Sequence, residues 1–380
     1  MRTDRLLLAL LVAVALTSCR DKAVPEAPLP APPDSPIGAA PSSASAASPT
    51  ASAPSPFVSE KVTGEAKAMG THLAYAAFTT PALDGARVRA AFDAATDEIR
   101  RLEGLMTTWR DDSEVSRINA AAGKAPVAVG QETYDVIAEA VHASVISDGA
   151  FDITFESLHG LWKFDEDLDP HPPSDAAIKA KLQLLSYKHI KLDPQKRTVM
   201  LDREGTKIGL GGIAKGYAVD RASAKLVEAG LASFYVQAGG DLYTHGHKPD
   251  GSAWLAGVRD PRGPEGDYFV MLEVSDHAFS TAGDYERSYI VGGKRYHHII
   301  DPRTGRPATA SRSVTIWAPT ALLADEIDDA VFILGPDKGL KLVESLDGVG
   351  AVIVDGANNV HISKRLEGKL RFVHAPTGGL

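Results

Sequence analysis

Asp325, Asp328 and Asp329 fall at i, i+3 and i+4 in the stretch 324–335, Ala-Asp-Glu-Ile-Asp-Asp-Ala-Val-Phe-Ile-Leu-Gly. On a helix those positions share one patch, so three carboxylates would crowd together. Like charges at that spacing oppose one another by about 0.2–0.5 kcal/mol per exposed pair, and by more once desolvated. Two conditions relieve the repulsion. A helix N-terminus, expected near Pro319–Leu322, favours negative charge. A divalent cation favours it far more, and hard Mg²⁺ suits carboxylate oxygens. Leu323, Ile327, Val331 and Leu334 follow the i, i+4, i+8, i+11 pattern of a buried stripe on another face. Spacing alone also describes an acidic first turn on a solvated helix.

A second candidate is Gly209-Leu-Gly-Gly-Ile-Ala-Lys-Gly-Tyr-Ala-Val-Asp220, a glycine-rich turn entering an amphipathic helix. Glycines let backbone approach a ligand, and a helix N-terminus offers N–H donors to phosphate. Gly209, Gly211 and Ala214 formally satisfy Gly-x-Gly-x-x-Ala, a dinucleotide fingerprint. The preceding segment 201–207 is a polar turn, not an apolar first strand, which argues against a nicotinamide fold. Gly239-Gly240-Asp241 reads as a strand end with close backbone approach. In 296–305 (Tyr-His-His-Ile-Ile-Asp-Pro-Arg-Thr-Gly), His297 and His298 stand on opposite faces of a strand leading into a turn. Two such histidines cannot share one metal, which argues against zinc. Ser280-Thr281-Ala282-Gly283 offers hydroxyls and backbone donors useful near phosphate.

The elements that must position these groups alternate. A strand pair, or one long strand interrupted at Met69-Gly70-Thr71, spans 62–78, and helices are expected at 87–106, 113–121, 132–147, 175–185 and 209–229. Strands are expected at 190–201, 234–237, 253–259, 269–274, 289–291, 296–300, 351–354 and 360–363. Helices and mostly antiparallel strands are mixed, so the expected class is α+β, one catalytic domain over 58–380.

The 380 residues are 44% hydrophobic and 23% charged, enough for a sizeable core, and the net charge of -9 without a basic cluster argues against nucleic acid. Arg2 and Arg5 precede the apolar run 6–16, too short for a mature membrane span. It ends at Leu16-Thr17-Ser18-Cys19, which looks like a bacterial lipobox around the chain's single cysteine. The expectation is a signal peptide over 1–18, a lipid on Cys19 holding the protein to a membrane of the cell envelope facing the periplasm, and a Pro/Ala/Ser-rich disordered linker over 19–57.

Taken in order, Met69-Gly70-Thr71, Trp109 with Asp112-Ser113-Glu114 and Asn119, Phe151-Asp152-Ile153-Thr154, Gly211–Tyr217, Gly239-Gly240-Asp241, Ser280–Gly283, His298–Pro302 and Ala324-Asp325 resemble the ApbE family of flavin transferases. The resemblance implies an ApbE-like fold that binds FAD as substrate and Mg²⁺ on its diphosphate. It implies transfer of FMN from FAD to a threonine of an exported or membrane flavoprotein through a phosphoester, releasing AMP. FAD hydrolysis to FMN and AMP, or FAD binding without chemistry, are the alternatives. By analogy Met69, Trp109, Ala150, Phe151, Asp152, Gly211, Tyr217 and Ile299 line the flavin site. The Ala214 carbonyl, Asp325, Asp328 and Asp329 surround the cation, and His298 takes the acceptor's proton at a pKa near its ordinary value. The chain departs from the family pattern at Gly209, where aspartate is common, at Ala282, where serine is usual, and at Asp329, where threonine is common.

Overall fold

The computed structural model describes residues 57–164 and 168–380. The expected signal peptide, Cys19 and all of the linker but its last residue lie outside the described residues. The hairpin comes first. Met69 and Gly70 both take positive φ (50° and 67°), the twist a two-residue hairpin turn requires. That turn joins β1 (Lys61–Ala68) to β2 (Thr71–Phe78) in antiparallel register. Six further strands extend the same sheet: β3 (Phe234–Ala238), β4 (Asp241–His245), β5 (His277–Gly283), β6 (Ser311–Ala318), β7 (Gly350–Asp355) and β8 (Val360–Ile362). Their spatial order follows chain order, and every pairing is antiparallel.

Six helices are inserted: α1 (Gly85–Met106), α2 (Glu114–Ala120), α3 (Gln131–Ile146), α4 (Asp175–Leu182), α5 (Ala214–Glu228) and α6 (Ala321–Ser345). Val88, Phe92, Ala95, Ile99 and Leu102 of α1 repeat at helical spacing and are buried, as the sequence predicts. The sheet is covered on both faces, and strand alternation sorts its residues between two cores. Ala278, Ala282, Ala351 and Ile353 face the core shared with α1, α3, α5 and α6. Phe279, Val352 and Val354 face a second core, closed by the small antiparallel sheet of Trp254–Arg259, Tyr268–Val274 and Leu370–Phe372. The class is α+β with mostly antiparallel sheets. Among the described residues, no helix is long and apolar enough to cross a membrane.

Several expectations are corrected. Gly239-Gly240 is the turn between β3 and β4, so Asp241 begins a strand and does not end one. The central strands β4, β5 and β6 were not expected. The acidic helix is no solvated turn: Asp325, Glu326 and Asp328 are all buried. In its predicted stripe, Ile327 and Val331 are fully buried, while Leu323 and Leu334 are only partly so. Gly335 (φ 73°) followed by Pro336 interrupts that helix before its last turns.

Candidate active site

α5 and α6 are interlocked. The first N–H groups of α6 have no partner within the helix. Asp220, on α5, accepts from Ala321 N at 2.8 Å and Leu322 N at 2.9 Å, and the Thr320 side chain accepts from Leu323 N at 3.3 Å. In return Asp325, on α6, accepts from Gly216 N at 2.9 Å near the start of α5. The crossing is so close that a Cβ on Gly216 would lie 2.2 Å from Ala321 O and 2.7 Å from Asp325 Cβ. Only glycine fits there.

This crossing faces the sheet, and alternation brings Asp241 of β4 and Ser280 of β5 to meet it. Asp241, Asp325 and Asp328 each offer a carboxylate oxygen within 4.8 Å of the others, and all three are buried. Ser280 Oγ lies 2.5 Å from Asp241 Oδ1 and 2.6 Å from Asp328 Oδ2. Lys215 donates to Asp325 Oδ1 at 2.9 Å and to Gly211 O at 3.2 Å, and its ammonium lies 3.2 Å from Asp241 Oδ2. That last contact is an ion pair without hydrogen-bond geometry, so Asp241 Oδ2 is a buried acceptor with no donor.

The electrostatics match the crowding. Burial and Asp241 push Asp325 up to about 7 against the pull of Lys215. Burial, Asp329 and Asp325 push Asp328 well above the carboxylate range. Burial opposes the Lys215 charge, but Asp241 and Asp325 outweigh it and keep the ammonium protonated. Asp329, held by burial at about 6, is less enclosed than its neighbours. Its Oδ2 would lie 2.9 Å from a Cβ on Gly212, so it sits against the glycine turn and not inside the three-carboxylate group. A cation with hard oxygen ligands fits this donor set: three buried carboxylates, one unsatisfied acceptor, and no soft ligand among them.

The strand Lys294–His297 ends at the first of the two histidines, and His298 lies just beyond it. His297 is buried, its Nε2 donating to Ala308 O at 2.8 Å and its ring edge-on to Phe332. His298 has Nδ1 shielded from solvent and unpartnered. Burial, and then the charges of Arg287, His297 and Lys215, hold His298 down to about 3. The expectation of an ordinary histidine pKa is therefore corrected. His298 is neutral throughout the physiological range in the free protein.

Among the residues expected around a flavin, several gather. Phe151 Cε2 would lie 3.2 Å from a Cβ on Gly212, and Ile299 is buried next to His298. Ala214 is the first residue of α5, Gly211 is exposed in the turn before it, and the Tyr217 hydroxyl donates to Glu132 Oε1 at 3.4 Å. Met69 sits in the β1–β2 turn, whose Thr71 Oγ1 would lie 2.7 Å from a Cβ on Gly239. Ala150 is fully buried. Asp152 is committed locally, accepting from Thr154 N, Thr154 Oγ1 and Tyr187 N at 2.6–2.8 Å. Trp109 stands apart, 79% exposed, with its ring edge-on to His159. A Cβ on Gly209 would meet the Glu156 side chain, with Oε2 at 2.7 Å.

Sequence reasoning missed Asp241, Ser280 and Lys215 as members of the carboxylate group. Their motifs were visible, but their convergence depends on pairing β4 with β5 beneath α6. Glu326 was also missed.

The family model for the ApbE family matches residues 69–353. The FAD:protein FMN transferase of Klebsiella pneumoniae strain 342 is 31% identical over 297 residues, 77% of this chain and 84% of that protein. The FAD:protein FMN transferase of Treponema pallidum is 32% identical over 304 residues, 76% of this chain and 84% of that one. The crystal structure of the ApbE protein from Thermotoga maritima superposes with a TM-score of 0.75 at 33% identity, covering 82% of this chain and 100% of that one. The flavin transferase ApbE from Vibrio cholerae superposes with a TM-score of 0.71 at 26% identity, covering 82% and 99%. A match over most of the chain, in sequence and in fold, makes this protein a member of the ApbE family.

Proposed function

We propose that the protein transfers FMN from FAD to a threonine hydroxyl of a partner flavoprotein, with Mg²⁺ on the substrate diphosphate. The observation that carries the reading is the convergence of Asp241, Asp325 and Asp328 beside the glycine turn, in a chain whose relatives are named FAD:protein FMN transferases. Asp241, Asp325 and Asp328 would hold the cation, with Asp329 at its edge and the Ala214 carbonyl nearby. A bound Mg²⁺ supplies charge neutralisation for a diphosphate and for the departing AMP. The chain's own residues supply the rest. Gly211 and Gly212 leave room at the start of α5 for a phosphate oxygen to approach backbone. His298, neutral in the free protein, would take the acceptor's proton. The threonine oxygen forms the new bond to the FMN phosphorus, the bond to the AMP oxygen breaks, and the hydroxyl proton passes to His298.

Incubation with FAD, Mg²⁺ and a threonine-bearing flavoprotein should add one FMN to the acceptor, read by mass spectrometry and by flavin fluorescence that survives denaturation. Release of FMN and AMP without any acceptor modification would replace the transferase reading with hydrolysis. The lipid anchor on Cys19 and a periplasmic location belong to the same proposal, supported by the sequence of residues 1–19.

A further inference from the structure

The sequence holds no basic cluster, yet the fold builds one away from the carboxylate group. Arg262, Arg295, Arg312 and Lys294 line a single cavity of about 260 Å³, and Asp284 is the one acidic residue in its wall. Four cationic side chains against one acidic side chain is an unusual balance for a pocket in an acidic protein. Asp284 is already spent. It takes both forks of the Arg262 guanidinium, at 2.7 and 2.8 Å, and that arginine side chain is only 7% exposed. No acidic side chain is hydrogen-bonded to Arg295 or Arg312: Arg295 reaches Ser288 Oγ and the main-chain oxygen of Leu380, the last residue, and Arg312 reaches Gly356 O and Asn358 Oδ1.

Two of the arginines in the wall also keep a buried Nε–H without a hydrogen-bond partner, Arg262 and Arg295. Unmatched donors in a buried setting are costly, and these two mark a wall rich in donors. Burial, followed by the neighbouring Arg262 charge, presses both Arg295 and Arg312 below the usual guanidinium range, so the cations also repel one another. An oxyanion with several acceptor oxygens offsets that repulsion, and guanidinium forks match tetrahedral phosphate oxygens.

We propose that this cavity binds a phosphate-type dianion, presented by free phosphate or by a phosphate monoester. It lies behind the strand that leads into the paired histidines, with His297 in its wall and His298 belonging to the candidate active site.

The test is calorimetric titration of the full chain with inorganic phosphate and, separately, with glycerol phosphate, in a buffer free of other multivalent anions. One saturable site is expected. Arg295→Gln and Arg312→Gln should each weaken it about tenfold or more, while Arg312→Lys should recover part of the loss. Saturation by phosphate alone identifies a free-ion site, and equal or tighter binding of glycerol phosphate identifies a site for phosphorylated molecules. In wild-type protein the arginine Nε–H NMR resonances should shift on titration, a readout that needs no variant. No saturable binding of either compound by folded protein, or full affinity in the Arg295→Gln/Arg312→Gln double variant, overturns the proposal.

Discussion

One hydroxyl hydrogen cannot serve two carboxylates. Ser280 Oγ lies within hydrogen-bond distance of both Asp241 Oδ1 and Asp328 Oδ2, so one acid must bring a proton of its own when no cation is bound. Asp328, pushed well above the carboxylate range by burial and its neighbours, is the natural holder. A divalent cation must displace that proton and find Asp325, at about 7, ionised. Affinity for Mg²⁺ should therefore rise with pH between 6 and 8, with proton release seen as a buffer-dependent enthalpy in calorimetry; a pH-independent affinity would count against the carboxylates as its ligands. Ser280→Ala should weaken Mg²⁺ binding about 10–100-fold, the usual effect of removing a group that orients ligands, and leave the melting temperature nearly unchanged. His298 gives a different signature. Because it is held near 3 in the free protein, the pH profile of kcat/KM at saturating Mg²⁺ should show no inflection near the ordinary histidine value. His298→Ala should slow transfer by about 10²–10⁴-fold while FAD still binds, as measured by quenching of flavin fluorescence.

At the scale of elements, the α5–α6 crossing decides where Asp325 stands. Gly216→Ala forces a methyl into Ala321 O and Asp325 Cβ, and overpacking of a rigid contact costs about 1–3 kcal/mol. Both the melting temperature and the transfer rate should fall together, unlike the Ser280 variant. On the other side of α6, Glu326 is buried with neither carboxylate oxygen hydrogen-bonded. Burial, then Glu139 and Asp325, raises it to about 9. A carboxyl raised in the folded state binds more protons there than when unfolded, so it lowers stability progressively as pH rises from its ordinary value toward 9. Glu326→Met should stabilise the protein by about 2–3 kcal/mol near neutral pH, less at pH 5, in denaturant titrations at the two pH values. A gain independent of pH would show that the carboxyl is not the cause. The strongly periodic elements were legible beforehand: the stripe on α1, the Met69-Gly70 hairpin, the acidic helix and its N-terminus. The strands β4, β5 and β6 were not, because His-Ala-Phe-Ser-Thr-Ala-Gly and Asp-Leu-Tyr-Thr-His mix small, hydroxyl and charged residues where one face meets a site. For the same reason Asp325 and Asp328 were readable from local spacing. Asp241 and Ser280 were not, since β4 and β5 are separated by more than thirty residues and only their pairing in the sheet joins them.

At the scale of the whole chain, a sheet whose spatial order follows chain order keeps every pairing between successive strands, with the helices carried as insertions. The consequence is a site assembled from widely spaced segments, Gly211–Gly216, Asp241, Ser280, His298 and Asp325–Asp329, on one face of one sheet. Among the described residues the sheet begins at Lys61, after the tether expected over residues 19–57. Catalysis and attachment should therefore separate cleanly. A chain of residues 58–380 should modify a soluble acceptor at the rate of the full protein. Cys19→Ser in the full chain should keep that rate in detergent extract yet move the protein from the membrane to the soluble fraction of the cell envelope. Fractionation with an antibody to the folded domain, together with mass spectrometry for a lipid on Cys19, reads both halves. If Cys19→Ser stays with the membrane, the partition of the chain 58–380 decides between the uncleaved apolar segment 6–16 and an exposed face of the folded domain as the attachment.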